Sequence, residues 1–145
     1  MNQWFRRHAL TNHLAGISRT NVICDGDTGG VIGYVTLGMA QIERAFLAKA
    51  RQRNMPNPVP VALLGQLAVH KDHQRRGHAR SLLQFALRTA LRASREIGSF
   101  GVIVHPFDDQ ARSFYARWGF QLLPFDSRHS MIVRMVDLER SGFDR

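Results

Sequence analysis

The sequence predicts an α/β layer fold, and three features of its second half carry that prediction. Two apolar runs, "VALLGQLAVH" and "SFGVIVHP", have the composition of strands that are buried on both faces of a sheet. A helical pattern from about His78 to Ile97 separates them, and a shorter helix, "DDQARSFYARWG", opened by acidic residues, follows the second run. Strands that alternate with helices favour parallel pairing at the centre of a sheet, with helices packed against it.

The other elements follow in chain order. Trp4 to about Ile17 fits a helix with charge and histidine on its outer face, and "RTNVICD" and "GGVIGYVTLGMAQIE" predict two strands around the turn "DGDTGG". "RAFLAKARQRNMPNPVP" predicts a short helix and then a loop, because its prolines restrict the residues before them. Gly98 is predicted to end the long helix, and "SMIVRMVDL" predicts a final strand. The length fits one domain over residues 1–145.

The charge of the chain predicts a polyanionic partner. The sequence has 20 Lys+Arg against 11 Asp+Glu, a formal net charge of +9. Nearly all of the positive charge is arginine, whose planar fork pairs with phosphate and stacks on bases. Nucleic acid, anionic lipid and phosphorylated cofactors are therefore favoured, and polycationic substrates are disfavoured because the surface repels them.

The single cysteine and the N-terminus bear on the compartment. Cys24 excludes an internal disulfide, and its apolar setting in "NVICD" favours a buried structural thiol over a nucleophile. The opening "MNQWFRRHAL" has no apolar core of a signal peptide, and no membrane span is visible. A cytoplasmic protein that does not enter membranes is expected.

The segment "HKDHQRRGHARSLLQFAL" contains the first candidate site. Gly77 permits a backbone conformation that other residues resist, and N–H groups at a helix start form an anion site. Arg75 and Arg76 would add charge-assisted hydrogen bonds, although a loop with two solvated arginines is the alternative. His70, His73 and His78 match no common zinc spacing, so no metal is expected.

This segment resembles the acetyl-CoA-binding pattern Q/R-x-x-G-x-G/A of the GNAT N-acetyltransferases, with Ala79 where glycine is frequent. The resemblance implies a GNAT fold, with a mixed central sheet flanked by helices. It also implies that backbone N–H groups near the helix start bind the pyrophosphate and that the preceding strand pairs with the pantetheine arm. The residues so implied are Leu67, Ala68, Val69, Gln74, Arg75, Arg76, Gly77, His78, Ala79 and Arg80.

A second GNAT pattern, N-x-x-A-x-x-F-Y-x-x-x-G-F, matches "DDQARSFYARWGF", and the resemblance covers roughly residues 60 to 137. It implies cofactor contacts at Asp108, Ala111 and Phe114, although Asp108 replaces the common asparagine. Tyr115 is the candidate catalytic acid, because a thiolate whose thiol has an ordinary pKa of ~8.5 can take a proton from a phenol with a pKa of ~10 in the same pocket. A packed core tyrosine with a satisfied hydroxyl is the alternative.

The lack of a carboxylate on one predicted strand bears on which kind of amine accepts the acetyl group. The strand "VALLGQLAV" has no Asp or Glu where lysine-modifying GNATs often place a glutamate. An α-amine, with a pKa of ~7.7–8, needs less help from a base than a lysine amine with a pKa of ~10.4.

On the long helix Arg80, Gln84, Arg88, Arg92 and Arg95 share one face, opposite Leu83, Ala86, Leu87, Ala90 and Ile97. Arg88, Arg92 and Arg95 are candidates for tRNA phosphate contacts, and a solvated helix face is the alternative.

The whole chain resembles the TacT-type GNAT toxins of bacterial toxin–antitoxin pairs, through "WFRRHA", "SRTNVICD", the two motif segments and "PFDSRHSMIVRM". The resemblance implies acetyl transfer from acetyl-CoA to the α-amine of aminoacyl-tRNA, a ribbon–helix–helix antitoxin and a homodimer. Relatives usually have a further strand and helix upstream, so a fold without these first elements is expected. A GNAT that acts on a protein N-terminus or a small amine, and a CoA- or RNA-binding variant without catalysis, stay open as alternatives.

Overall fold

The computed structural model describes His13 and residues 16–143, and its elements follow the predicted alternation in the second half. The strands are β1 (Arg19–Cys24), β2 (Val31–Ile42), β3 (Val59–Val69), β4 (Gly101–Val104), β5 (Gln121–Leu122) and β6 (Met131–Arg134). The helices are α1 (Lys49–Gln52), α2 (His78–Glu96), α3 (Asp109–Arg117) and α4 (Met135–Arg140). The helix predicted from Trp4 to Ile17 lies almost entirely outside the described residues.

In the described part of the chain, one mixed sheet of six strands runs in the order β1-β2-β3-β4-β6-β5. β3 and β4 are parallel, with Ala62 paired to Val102 and Leu63 to Ile103, which confirms the predicted parallel centre. β1 with β2, β4 with β6 and β5 with β6 are antiparallel. The predicted mixed sheet flanked by helices is therefore confirmed. Two compact units contain Met1–Gly38 with Leu64–Thr89 and Met39–Leu63 with Ala90–Arg145, so the single-domain assignment stays a prediction.

In the first unit, the N-terminal part of α2 packs its apolar face inward. Leu82, Leu83, Ala86 and Leu87 are buried, as are Tyr34 and Val35 of β2. Gly33 allows β2 to lie close to β3, because a Cβ there would be 2.9 Å from the carbonyl oxygen of Ala68. The backbone N–H of His70 donates to the Ile32 carbonyl at 2.6 Å, so the end of β3 is held beside β2 where the candidate loop begins.

In the second unit, β4 is the buried centre. All four of its residues are buried, as the apolar run "SFGVIVHP" predicts. A core cluster surrounds it and joins strands to the loop after β5; its buried members are Ile42, Leu47, Val59, Val61, Ile103, Leu123 and Ile132.

The prediction that β3 is buried on both faces is wrong for its last five residues. Val59, Val61 and Leu64 are buried, but Gly65 and Gln66 are exposed and Leu67–Val69 are half-buried. Within the described residues, the ladder with β4 ends at Leu63, whereas β3 continues to Val69. The apolar composition of this end therefore does not come from burial inside the sheet.

The predicted final strand is also too long. β6 ends at Arg134, and Met135–Arg140 is helical. Met135 and Leu138 are buried with the three-residue spacing of a helix face, and the Arg134 guanidinium donates to the Asp137 carboxylate at 2.9 Å. These helical contacts outweigh the strand propensity of the apolar residues after Arg134.

Two side chains are more exposed than the sequence indicates. Cys24 is exposed because it ends β1, the strand at the edge of the sheet. Ile97, predicted on the buried face of the long helix, is 71% exposed because α2 ends one residue before it. Among the described residues, no helix combines the length and apolar character that crossing a membrane requires.

Candidate active site

The loop between β3 and α2 has the backbone geometry of an anion site. Arg75 has φ 65° and Gly77 has φ 83°, so two residues with left-handed backbone flank Arg76. Alternation of this kind turns successive N–H groups toward one side and makes a concave binding surface for anions. A left-handed arginine is costly, and such strain is typical of functional loops.

The start of α2 adds to this site. The Ser81 N–H donates to the Gly77 carbonyl at 3.0 Å and is the first donor inside the helix, so the N–H groups of His78, Ala79 and Arg80, which precede it, have no partner inside the helix. No acidic residue lies in the first turn, so the positive end of the helix dipole is not compensated there. Arg75, Arg76 and Arg80 are exposed. A phosphate group fits this concentration of donors and positive charge.

The exposed end of β3 is joined to the loop by a side chain of the motif. Gln74 Nε2 donates to the carbonyl of Val69 at 3.1 Å. Leu67, Ala68 and Val69 therefore lie in one unit with residues 74–80, as the sequence predicts for the strand and loop that bind one cofactor. The first unit thus contains ten of the predicted cofactor residues.

One histidine beside this loop, His70, serves local structure. His70 Nδ1 accepts from the Asp72 N–H at 3.1 Å and caps the short turn Lys71–His73. In the described part of the chain, no group of three or more His, Cys, Asp or Glu side chains could hold a metal ion.

The second unit contains the tyrosine motif, and Asp108 begins its helix. Asp108 Oδ1 accepts from the Ala111 N–H at 2.8 Å, which makes it the N-cap of α3. Arg112 pairs with Asp109 one turn along, at 2.9 Å. The carboxylate of Asp108 is thus already bound to the helix backbone, which an asparagine would do equally well.

Tyr115 has a buried ring and a hydroxyl that forms no hydrogen bond with the described residues. Its side chain is 8% exposed and packs edge-on against Phe114 and Phe120, with ring centroids 5.4 Å and 5.3 Å away. Among the residues that the structure describes, none forms a hydrogen bond with the hydroxyl. Burial raises the pKa of Tyr115 to about 12, so the phenol keeps its proton at every physiological pH.

The arginine stripe of α2 has the predicted amphipathic placement. Leu83, Ala86, Leu87 and Ala90 are buried, while Arg80, Arg88, Arg92 and Arg95 are exposed. Arg95 also lies 3.9 Å from the Glu139 carboxylate, and Arg88 and Arg92 make interactions of their own. Exposure is consistent with phosphate contacts, and the tRNA role of this stripe stays a prediction.

A polar cluster that sequence reasoning missed lies at the end of β4. His105 Nδ1 and Ser130 Oγ form a hydrogen bond of 2.7 Å, and Ser130 is fully buried. Burial, with a contribution from the charge of Arg128, lowers the pKa of His105, so its imidazole is neutral near pH 7. A histidine directly after a buried parallel strand was the available signal, because ligands commonly bind at the carboxyl ends of such strands.

Asp126 completes this cluster. Its Oδ1 accepts from the Arg128 N–H at 2.9 Å, and its Oδ2 is buried with no partner within the described residues. Burial acts to raise the pKa of Asp126, but hydrogen bonds from Ser130 and the Arg128 backbone, with the nearby positive charge, lower it overall. The cluster fixes the loop between β5 and β6.

The comparison with protein families identifies the class. The family model described as "Acetyltransferase (GNAT) domain" matches residues 18–122, which include both motifs. The chain belongs to this GNAT acetyltransferase family.

Similar proteins narrow the class further. The chain is 37% identical over 133 residues to a "tRNA-acetylating toxin" of Mycobacterium tuberculosis (strain ATCC 25618 / H37Rv), a match that covers 92% of this chain and 79% of that protein. Among solved structures, AtaT complexed with acetyl-methionyl-tRNAfMet superposes with a TM-score of 0.88 at 27% identity, over 97% of this chain and 84% of that one.

Two further structures carry other molecules. AtaTR bound with AcCoA has a TM-score of 0.81 at 27% identity and covers 97% of this chain and 83% of that one. A tyrosine-to-phenylalanine mutant of AtaT bound to the C-terminus of the antitoxin AtaR has a TM-score of 0.78 at 25% identity, over 95% and 79% of the two chains.

Proposed function

We propose that this protein is a toxin N-acetyltransferase, which transfers acetyl from acetyl-CoA to the α-amine of aminoacyl-tRNA and so blocks translation. One observation carries the transferase chemistry: Tyr115 is a buried, protonated phenol whose hydroxyl has no partner among the described residues. The acceptor is supported by the similarity to the tRNA-acetylating toxin and to AtaT with its acetylated tRNA.

Acetyl-CoA fits the first unit. The N–H groups of residues 75–80 and the exposed guanidinium groups of Arg75 and Arg76 would hold the pyrophosphate. The half-buried end of β3, Leu67 to Val69, would pair with the pantetheine arm as an added strand does. Asp108, Ala111 and Phe114 are the proposed contacts from α3.

Tyr115 would supply the proton that the leaving group needs. In the transfer, the α-amine nitrogen forms a bond to the acetyl carbon, the carbon–sulfur bond breaks, and the sulfur leaves as a thiolate. With a phenol pKa of about 12, full proton transfer from Tyr115 to the thiolate, whose thiol has a pKa of ~8.5, is uphill even after the carbon–sulfur bond breaks. Tyr115 would therefore donate a hydrogen bond to the developing thiolate, and its proton would pass to the sulfur only as water returns to the phenolate the proton that the nitrogen loses.

The acceptor amine must reach the site uncharged. β3 has no carboxylate between Val59 and Val69, and the polar Gln66 cannot act as a base. An α-amine with a pKa of ~7.7–8 has a substantial uncharged fraction at physiological pH, whereas a lysine amine with a pKa of ~10.4 has almost none. The absence of a carboxylate on β3 therefore favours an α-amine acceptor.

The surface charge supports an RNA substrate. A formal net charge of +9 attracts the phosphate backbone, and Arg88, Arg92 and Arg95 are exposed along one face of α2. These arginines are the proposed backbone contacts. Because charged tRNA is consumed in the cytoplasm, the cytoplasm is the proposed site of action.

An antitoxin is the proposed protein partner, in line with the AtaT–AtaR complex. We propose that the antitoxin is of the ribbon–helix–helix type and that the toxin forms a homodimer. Co-expression with the product of a small neighbouring DNA-binding gene, followed by sedimentation, measures both the complex and the oligomeric state.

The deciding experiment is incubation of the purified protein with labelled acetyl-CoA and charged tRNA. Label is expected on the aminoacyl group of the tRNA. Label on a peptide N-terminus or a free amine, with none on charged tRNA, would identify the alternative acceptors. Binding of acetyl-CoA without turnover of any amine would identify a non-catalytic CoA-binding protein.

A further inference from the structure

The loop between β5 and β6 borders a cavity that none of the motifs explains. The cavity has a volume of about 350 Å³ and is lined by residues 122–127 together with His129. Two large apolar side chains stand on its rim in contact with solvent, since Leu122 is 52% exposed and Phe125 is 53% exposed. Its size is at the small end for ligand pockets, and so suits one planar group.

The loop is held in a fixed shape. The Leu123 N–H donates to the Ser130 carbonyl at 2.9 Å, and the His129 N–H donates to the Asp126 carbonyl at 3.0 Å. Asp126 also accepts from the Arg128 N–H, and the Phe125 N–H donates to the Phe46 carbonyl at 3.3 Å. Phe125 is therefore displayed on a rigid support, which lowers the entropy that binding to its ring would cost.

Positive charge lies beside this ring and on the same loop. Lys49 Nζ lies 5.8 Å from the centroid of Phe125, and Arg128, whose Nε is 4.0 Å from the Asp126 carboxylate, has a side chain that is 67% exposed. Arg51 donates to Gln121, the residue before Leu122, at 3.5 Å. The one carboxylate of the loop, Asp126, is buried and bound to the backbone, so it offers little charge to solvent. We call Lys49, Arg51, Phe125 and Arg128 the basic–aromatic patch.

An exposed aromatic ring among cations is the arrangement that binds single-stranded nucleic acid. Every base has a π-face that stacks on an aromatic side chain, and the cations bind the flanking phosphates. We infer that the basic–aromatic patch binds the single-stranded 3′ end of the acceptor tRNA, with one base stacked on Phe125 and phosphates at Lys49 and Arg128. This inference rests on the proposed function, because it assigns a position to the RNA part of the same substrate.

The test compares Phe125→Ala with Phe125→Trp, which keeps a stacking surface, and with Phe107→Ala as a matched control. Phe107 is 95% exposed but is followed by Asp108 and Asp109 instead of cations. The readouts are the Kd for uncharged tRNA, and KM for charged tRNA and for an amino acid methyl ester that has no RNA. Thermal melting confirms that each variant is folded.

Phe125→Ala should weaken tRNA binding and raise KM for charged tRNA by about tenfold or more, as expected for the loss of one stacked base. Its KM for the methyl ester should not change, Phe125→Trp should restore tRNA binding, and Phe107→Ala should behave like wild type. Lys49→Ala should reduce the slope of tRNA affinity against salt by about 1, since one phosphate contact is lost.

Equal tRNA affinity of Phe125→Ala and wild type would overturn the inference, and so would equal losses in Phe125→Ala and Phe107→Ala. Loss of antitoxin binding in Phe125→Ala with unchanged tRNA affinity would also overturn it, and would assign the patch to the protein partner. A wild-type protein that transfers no label to charged tRNA would instead contradict the proposed function, and the Kd for uncharged tRNA would still test the patch.

Discussion

The loop at residues 74–79 and Tyr115 differ in the atoms that they offer: backbone N–H groups in the loop and one side-chain hydroxyl in the tyrosine. The loop is exposed, and its proposed anion site consists of backbone N–H groups set by the left-handed Arg75 and Gly77. Tyr115 is buried between two phenylalanine rings and offers one hydroxyl. The function of the loop therefore depends on torsion angles and tolerates different side chains, whereas the function of the tyrosine depends on a single atom.

The largest effect is expected from removing that atom. Tyr115→Phe keeps the packing with Phe114 and Phe120 and leaves no buried group without a partner, so the fold and the Kd for acetyl-CoA should not change. The kcat should fall by about 10²- to 10⁴-fold, the usual contribution of a general acid. Single-turnover kinetics and calorimetry measure the two quantities. Retention of wild-type kcat would remove Tyr115 from catalysis.

The pH dependence of kcat/KM tests whether the Tyr115 hydroxyl is buried as the structure shows. An acid must be protonated to act, so activity is lost only above its pKa, and burial raises the pKa of Tyr115 to about 12. The kcat/KM should rise as the α-amine loses its proton at pH ~8 and then stay level to about pH 10. Initial rates corrected for ester hydrolysis give this profile. A falling limb at pH ~10 that disappears in Tyr115→Phe would show a solvated phenol instead.

A smaller effect is expected from changing the torsion of the loop. A Cβ at Gly77 would meet open space, so Gly77→Ala acts only through its φ of 83°. The left-handed backbone costs a non-glycine residue roughly 1–2 kcal/mol, which corresponds to about a five- to thirty-fold weaker Kd for acetyl-CoA. Gly98→Ala is the matched control, because Gly98 also faces open space and has no positive φ. Equal effects of the two substitutions would contradict the torsional argument.

The smallest effect concerns the cap of α3. Asp108→Ala removes the acceptor for the Ala111 N–H and should lower the free energy of unfolding by about 0.5–2 kcal/mol. Asp108→Asn keeps the cap and should stay close to wild type. Denaturant melts measure both variants. An acetyl-CoA Kd that changes in Asp108→Asn, with unchanged stability, would reveal a direct contact of this side chain with the pantetheine arm.

The sequence predicted the elements that have local signals. The extent of α2 follows from its periodicity and Gly98, and the start of α3 follows from Asp108, because a cap and a helix stop act within one turn. The boundary between β6 and α4 was missed, since Met135 and Leu138 suit a strand until the Arg134–Asp137 pair is formed. The pair of His105 and Ser130 joins residues 25 positions apart, which no local pattern reveals.

Gly33 and Gly77 make different demands on how relatives of this protein can diverge. At Gly33 any Cβ would lie 2.9 Å from a backbone oxygen of the neighbouring strand, which has no side chain to turn aside. We therefore expect no other amino acid to replace Gly33 in relatives unless the two strands move apart. Gly77 has space around it and requires only a left-handed torsion, so asparagine, which adopts that torsion more readily than most residues, is an open evolutionary path there.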